Sequence, residues 1–256
     1  MKISVTHTAQ LNGVKLSPVG IEEAFEIVLQ HIRERDGSYF CFCNIHLMME
    51  GYGDAEVKKV LNESTANFAD GMGTAGALKI LGHRFRGRVR GTDLMLRLCD
   101  YSAGNRLKIF LFGSTEANLK ALRNRLNLLY PGVKIAGAIS PPFRDLFPYE
   151  DAQLINEINA SDPDILFVSL GAPKQEKWMA AHKGSVKAVQ LGIGAAFDFI
   201  VGNVRQAPFW MQNAYLEWLY RLPQQPGKTL RRMKVVPEFL YLLARQYVRE
   251  HLLNSH

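Results

Sequence analysis

Asp164-Ile165-Leu166-Phe167-Val168-Ser169-Leu170-Gly171-Ala172-Pro173-Lys174-Gln175-Glu176-Lys177-Trp178 is the stretch that decides the fold. Its short continuous apolar run reads as a buried strand, bounded by a turn at Gly171. Proline is well tolerated near a helix's first turn, so Pro173 sets the turn and Lys174 and Gln175 open a helix. Strand, tight turn and helix form the repeating unit of α/β proteins. The same unit recurs on either side. Leu107 to Gly113 reads as a buried strand, followed by a helix from Glu116 to Tyr130 that Pro131-Gly132 stops. Val133 to Ala138 is a further strand, Ser140-Pro141-Pro142-Phe143 opens a loop, and 150–160 reads as helix. Ala188 to Gly192 is the last strand.

Upstream, Ile21 to Arg35 carries apolar residues at 21, 24, 25, 28, 29 and 32, the spacing of a helix. Tyr39 to Cys43 reads as a strand ending at Asn44, with helices over about 45–51 and 54–63. Ala66 to Ala69 is a short apolar strand, and Thr74 to Leu81 is a helix-like run closed by Gly82. Strands alternating with helices imply βαβ units. The fold class is therefore α/β: an open, mostly parallel Rossmann-like sheet with helices on both faces. The organisation divides into an α/β core over 1–202 and a basic, proline-interrupted helical appendage over 203–256. In the appendage, a final amphipathic helix over about 236–253 sets Val236, Leu240, Leu243 and Tyr247 on one side. That helix could pack on the core, pair with another subunit or lie on a membrane surface.

Ligands of open α/β sheets bind at the carboxyl ends of the strands. Those ends carry Asn44, Asp70, Gly113-Ser114, Gly171 with Lys174-Gln175, and Gly192-Ile193-Gly194. Asp70, in Ala69-Asp70-Gly71-Met72-Gly73, stands where a general base would be useful, although aspartate is also a preferred helix N-cap. Gly113-Ser114-Thr115 is a plausible phosphate contact, since helix N-termini attract anions. It matches neither the dinucleotide nor the P-loop pattern. Asp198, in Ala196-Phe197-Asp198-Phe199, adds a second carboxylate. Asp93, in Gly91-Thr92-Asp93, is equally well explained as a helix cap.

Composition narrows the classes. The chain has 256 residues, 47% hydrophobic and 21% charged, with no apolar run approaching the roughly 20 residues of a bilayer span. No long apolar segment follows Met1-Lys2-Ile3-Ser4-Val5-Thr6-His7, which argues against a secretory signal. Cys41, Cys43 and Cys99 are few and odd in number and read as reduced core residues. The seven histidines make no metal-ligand spacing, and Asp162-Pro163-Asp164 precedes a strand, so a metal-free, cofactor-free mechanism is expected. The net charge is +7, of which +5 falls from Asn203 onward. Such a tail suits anionic lipid, substrate phosphates or nucleic acid. Carboxylates in the expected crevice disfavour nucleic acid.

Several segments then fall in one register: Ala69 to Gly73, Leu81-Gly82, Arg88-Val89, Gly91 to Leu94, Phe112-Gly113-Ser114, Gly171 to Glu176, Gly192 to Asp198, Ala207-Pro208 and Glu217 to Leu222. Over about residues 10–235 the chain resembles the WecG/TagA/CpsF family of bacterial glycosyltransferases. The resemblance implies an inverting, metal-independent transfer of sugar from a UDP-sugar to a polyprenyl-diphosphate-linked sugar. The donor would be of the N-acetylmannosamine, uronic acid or glucose type. The resemblance places such an enzyme on the cytoplasmic face of the bacterial membrane, in surface polysaccharide synthesis, and the family forms homo-oligomers. The catalytic base maps onto Asp70, with Asn44, Arg88, Asp93, Gly113, Ser114, Gly171, Lys174, Gln175 and Asp198 around donor and acceptor. Arg205, Arg221, Lys228 and Arg231 of the appendage would meet the diphosphate and the anionic membrane surface. Lys228 stands where arginine is expected, Phe42 where some members have threonine, and Gln206 where a second basic residue is common. These departures bear on the sugar and not on the reaction class. A nucleotide-binding regulatory protein on the same fold is the alternative.

Overall fold

The computed structural model describes residues 8–84, 86–214 and 216–253. A hairpin of β1 (Ala9–Leu11) and β2 (Val14–Leu16) precedes α1 (Ile21–Glu34), β3 (Tyr39–Cys43), α2 (Ile45–Gly53), α3 (Ala55–Glu63) and β4 (Ala66–Ala69). Then come α4 (Met72–Ile80), α5 (Gly91–Asn105), β5 (Lys108–Gly113), α6 (Glu116–Leu129), β6 (Lys134–Ile139) and α7 (Pro148–Ala160). The core ends with β7 (Ile165–Ser169), α8 (Lys174–Ala181), β8 (Val189–Gly192) and α9 (Ala196–Val201). Four more helices follow: α10 (Phe209–Asn213), α11 (Glu217–Arg221), α12 (Pro226–Lys234) and α13 (Val236–Val248), the last running into a π turn at Arg249–Leu253.

Six strands form one parallel sheet in the order β4-β3-β8-β7-β5-β6. The chain builds β3 and β4 at one side and β5 and β6 at the other, and fills the gap last with β7 and β8. Every strand end that carries a polar residue is thereby brought to one rim. Side chains alternate across the sheet. Tyr39, Cys41, Cys43, Phe110, Phe112, Leu166 and Val168 enter one core with α2, α3, α4, α7 and α8. Phe40, Phe42, Ile109, Leu111, Ile165 and Phe167 enter the other with α1, α5, α6 and α9. The fold expected from the sequence is the fold observed, and all three cysteines are buried free thiols.

Two features differ from the expectation. The β1–β2 hairpin escaped the periodicity reading because three-residue strands carry too little pattern. Its signal was the Asn12-Gly13 pair, both at positive φ, the preferred chemistry of a two-residue hairpin turn. The final helix packs through Phe239, Leu242, Leu243 and Gln246, whereas Leu240 and Tyr247, assigned to its apolar face, are exposed. The helix carries apolar residues on both sides, so amphipathicity alone misplaced the stripe. Gln246 tips the balance: its amide accepts from the backbone of Asn12 and donates to the carbonyl of Gln10, tying the helix to the hairpin.

Candidate functional site

The rim encloses a polar crevice of about 560 Å³. Asp70 lies there because β4 ends at Ala69 and Gly71 turns the chain at φ +95° and ψ 158°, a conformation open to glycine. Gly71, not Asp70, is the N-cap of α4, and the Asp70 carboxyl makes no capping bond. Its backbone carbonyl, and not its side chain, accepts the Thr74 hydroxyl. Burial pushes the Asp70 carboxyl up to about 6; Arg90, Arg221 and Arg88 oppose that shift and Glu217 adds to it. A carboxylate poised there is suited to take a proton near neutral pH.

Cations surround it. Arg88 donates to Gln212, whose own amide donates to the Ala207 carbonyl, so the appendage is tied to the core at the crevice. Arg88 Nη1 and Arg221 Nε are buried without a partner among the described residues. Buried unpaired donors are costly, and guanidinium groups are the donors best suited to carboxylate or phosphate oxygens. Arg90, Lys228 and Arg232 line the same crevice.

Across from Asp70, Asn118 of α6 donates to both Ser114 Oγ (2.7 Å) and Asp198 Oδ1 (3.0 Å), and accepts from Asn203. This network holds Ser114 and Asp198 side by side at the crevice wall with capacity left for ligand hydroxyls. Asn44 caps α2 through its side-chain oxygen, which accepts from Leu47 N, and lines the crevice too.

A second compartment, of about 510 Å³, adjoins the first. Ile45, Met72, Ala77, Ile80, Trp218, Met233, Val236, Leu240 and Leu243 make it apolar, and Asn44, His46, Asp70, Gly71, Glu217, Arg221 and Arg232 line both. Asp70 therefore stands at the junction of a polar and an apolar chamber.

Asn44, Asp70, Arg88, Ser114, Gly171, Gln175, Asp198, Arg221 and Lys228 are brought together. Asp93, Gly113, Lys174, Arg205 and Arg231 do not line either chamber. Asp93 sits in the first turn of α5 and faces Arg90 at 3.6 Å. Gly113 is packed against Ser169 beneath the rim. Lys174 donates to Asp145 and to the Arg144 carbonyl, steadying the loop that carries Phe143. Arg205 borders a separate surface hollow with Gln224. On α12 it is Arg232, not Arg231, that enters the crevice: residues three and four after Lys228 are both its neighbours, so spacing left the choice open. His46, Arg90, Glu176, Glu217 and Arg232 were not picked out from the sequence. Arg90, two residues from Arg88, and Arg232, four from Lys228, were the available signals. Among the described residues, a group with metal-ligand proximity occurs at His31, Glu34 and Asp36, before β3 and away from the crevice.

The chain matches the profile of the Glycosyl transferase WecG/TagA/CpsF family over residues 9–252. It is 30% identical over 210 residues to a Bacillus subtilis (strain 168) protein named N-acetylglucosaminyldiphosphoundecaprenol N-acetyl-beta-D-mannosaminyltransferase, covering 82% of this chain and 80% of that one. A Staphylococcus aureus (strain MW2) protein of the same name is 28% identical over 188 residues, 73% of this chain and 72% of the relative.

Proposed function

Because this chain belongs to the WecG/TagA/CpsF family and is a glycosyltransferase, we propose that it moves an N-acetylmannosamine-type sugar from a UDP donor to a polyprenyl-diphosphate-linked N-acetylglucosamine. The observation that carries this reading is the position of Asp70, which touches both chambers and has no side-chain hydrogen bond or ion pair among the described residues. The nucleotide-sugar occupies the polar crevice and the lipid-linked acceptor enters through the apolar one. Asp70 takes the proton of the acceptor hydroxyl as that oxygen bonds to C1 of the donor sugar. The bond from C1 to the UDP oxygen breaks on the opposite face, so one displacement inverts the anomeric centre. Arg88, Arg90, Arg221, Lys228 and Arg232 meet the charge that develops on the departing diphosphate, the electrostatic work that fixed donors do best. Asn44, Ser114, Gly171, Gln175 and Asp198 contact the nucleotide-sugar.

The membrane side of the reading rests on the appendage. None of the described helices is long and apolar enough to cross a membrane. Trp210, Leu219, Leu230, Leu240 and Tyr241 are nevertheless exposed, in the same segment of the chain as Lys228, Arg231, Lys234, Arg245 and Arg249. Apolar side chains among cations suit the interface of an anionic bilayer, where the acceptor lipid resides. We place the enzyme peripherally on the cytoplasmic face.

Thermal unfolding with UDP tests the nucleotide site: at 100 times its Kd a ligand adds about 2.7 kcal/mol of stability. A panel of UDP-sugars against a short-chain lipid diphosphate acceptor identifies the donor. No thermal response to UDP or to any UDP-sugar removes the reading.

A further inference from the structure

Glu176 is fully buried at the crevice floor, at the third position of α8, and the transfer mechanism makes no use of it. Its neighbour Gln175 is also buried, and the amide Nε2 donates to two acceptors, the Gly192 carbonyl at 2.8 Å and Glu176 Oε1 at 2.8 Å. Rotating that amide by half a turn would set its oxygen against the Gly192 carbonyl, two acceptors with no proton between them. The orientation is therefore determined. Both amide hydrogens are thereby spent on the protein, and Gln175 Oε1 is buried without a partner among the described residues, on a side chain that lines the crevice. Gly192 allows this approach, since a Cβ there would lie 3.1 Å from Nε2 and 2.6 Å from Met179 Cε.

Glu176 Oε2 is likewise buried and unpartnered. A buried carboxylate needs a cation or several donors to remain ionised. None of the described cations pairs with it. From β3 it faces the buried thiols of Cys41 and Cys43, whose own ionisation burial suppresses. From β4, Asp70 faces Cys43. On α3, Asp54 and Glu56 are occupied by Lys177, and on α7 Asp151 is occupied by Trp178 and His182. Lys174 is turned to Asp145. Burial pushes the Glu176 carboxyl up to about 7, with the Gln175 amide opposing.

Resting on the glycosyl-transfer reading, we propose that Glu176 works as a neutral carboxylic acid and is a positioning residue: it clamps Gln175 so that the amide oxygen is offered to an N–H or O–H of the bound nucleotide-sugar. A specific recognition element is built this way, because an acceptor with both flanking donors already spent selects a donor on the ligand.

Glutamine reproduces the protonated acid in both positions, its oxygen accepting from Gln175 and its NH2 standing where the O–H stands. The test compares full-length wild type, Glu176→Gln and Glu176→Ala, with kcat and KM for the UDP-sugar measured from pH 5.5 to 9. Glu176→Ala is expected to raise KM about tenfold, the effect of one misplaced hydrogen bond. Glu176→Gln is expected to restore most of that loss at pH 6. It is also expected to lack the alkaline decline that the proposal predicts for wild type near pH 7. Thermal unfolding gives a second readout that needs no turnover. A carboxyl raised in the folded state contributes stability below the ordinary glutamate range and loses it as pH rises through about 7. The Gln variant should therefore gain on wild type between pH 5 and 8. Glu176→Gln as impaired as Glu176→Ala at pH 6, or a stability difference independent of pH, overturns the proposal. Should wild type transfer no sugar, UDP calorimetry and the unfolding arm still judge Glu176 on its own.

Discussion

At the scale of single residues, Asp70 is held in a conflict between stability and chemistry. Its carboxyl is ionised near neutral pH in a place where burial favours the acid form, with about 6 as the outcome. Two consequences can be measured. The rate kcat/KM should fall as pH drops through about 6, because the base must be unprotonated to accept the acceptor's proton. Asp70→Asn should lower turnover by roughly 10²–10⁴-fold, the usual weight of general-base catalysis, while UDP binding is retained. The same variant should be more stable than wild type at pH 8. A carboxyl raised on folding stabilises the fold below about pH 4, and that contribution is lost as pH rises through about 6. At about 1.4 kcal/mol per pH unit, the gain on removing the charge is on the order of 2–3 kcal/mol. Normal turnover in Asp70→Asn would remove it as the base. On the proposal that Glu176 acts as the neutral acid, the pH profile should be bell-shaped, with its maximum between about pH 6 and 7.

At the scale of elements, α12 presents one face to the crevice and the other to solvent. Thr229, Arg232 and Met233 share the inner face, and Arg231 falls outside it. Arg232→Ala should therefore cost more than Arg231→Ala in kcat/KM. A charge-assisted hydrogen bond to phosphate is worth about 1.5–3 kcal/mol, or roughly 10–100-fold. The reverse order would mean that α12 turns about its axis when substrate binds. The phase of this helix was not legible in the sequence, since Lys228 has a basic neighbour at both the third and fourth positions after it. The strand ends were legible, because a run such as Ile165 to Ser169 admits one structure and its end must carry the turn. Hence Asn44, Asp70, Ser114 and Gln175, which line the crevice, could be placed near strand ends from the sequence. Arg90 and His46 were missed: Arg90 is the N-cap of α5 and His46 lies in the first turn of α2, where direction is set by local backbone and leaves no period to read.

At the scale of the whole molecule, the appendage is joined to the core in two ways. Phe239, Leu242 and Leu243 are buried in the same core as β3, β5 and β7, and Arg88 holds Gln212 across the crevice. Deleting the last fifth of the chain would thus strip apolar surface from the core as well as the crevice wall. Point variants separate the roles. Phe239→Ala should destabilise the protein by about 3–5 kcal/mol in denaturant unfolding, as expected for a large side chain lost from a packed interior. Substituting Leu230 and Tyr241, both exposed and lining neither the crevice nor the apolar groove beside it except for their neighbours, should leave unfolding unchanged. Leu230→Glu with Tyr241→Glu should reduce sedimentation with vesicles of anionic lipid severalfold. Undiminished sedimentation would move the membrane contact elsewhere.

The sequence by itself determined the parallel sheet, the identity of the strand ends and the acid at the end of β4. These follow from local pattern: apolar runs of strand length, turn residues after them, and helices of the right period between. Tertiary structure alone decided that Asp70 is a free carboxyl and not a cap, since Gly71 takes the capping position only once the chain turns at positive φ. It also decided which face of the last helix is buried, and which arginine of α12 reaches the crevice. Each of these depends on how an element is rotated against its neighbours, and rotation is set by packing across the fold, which no local window of sequence contains.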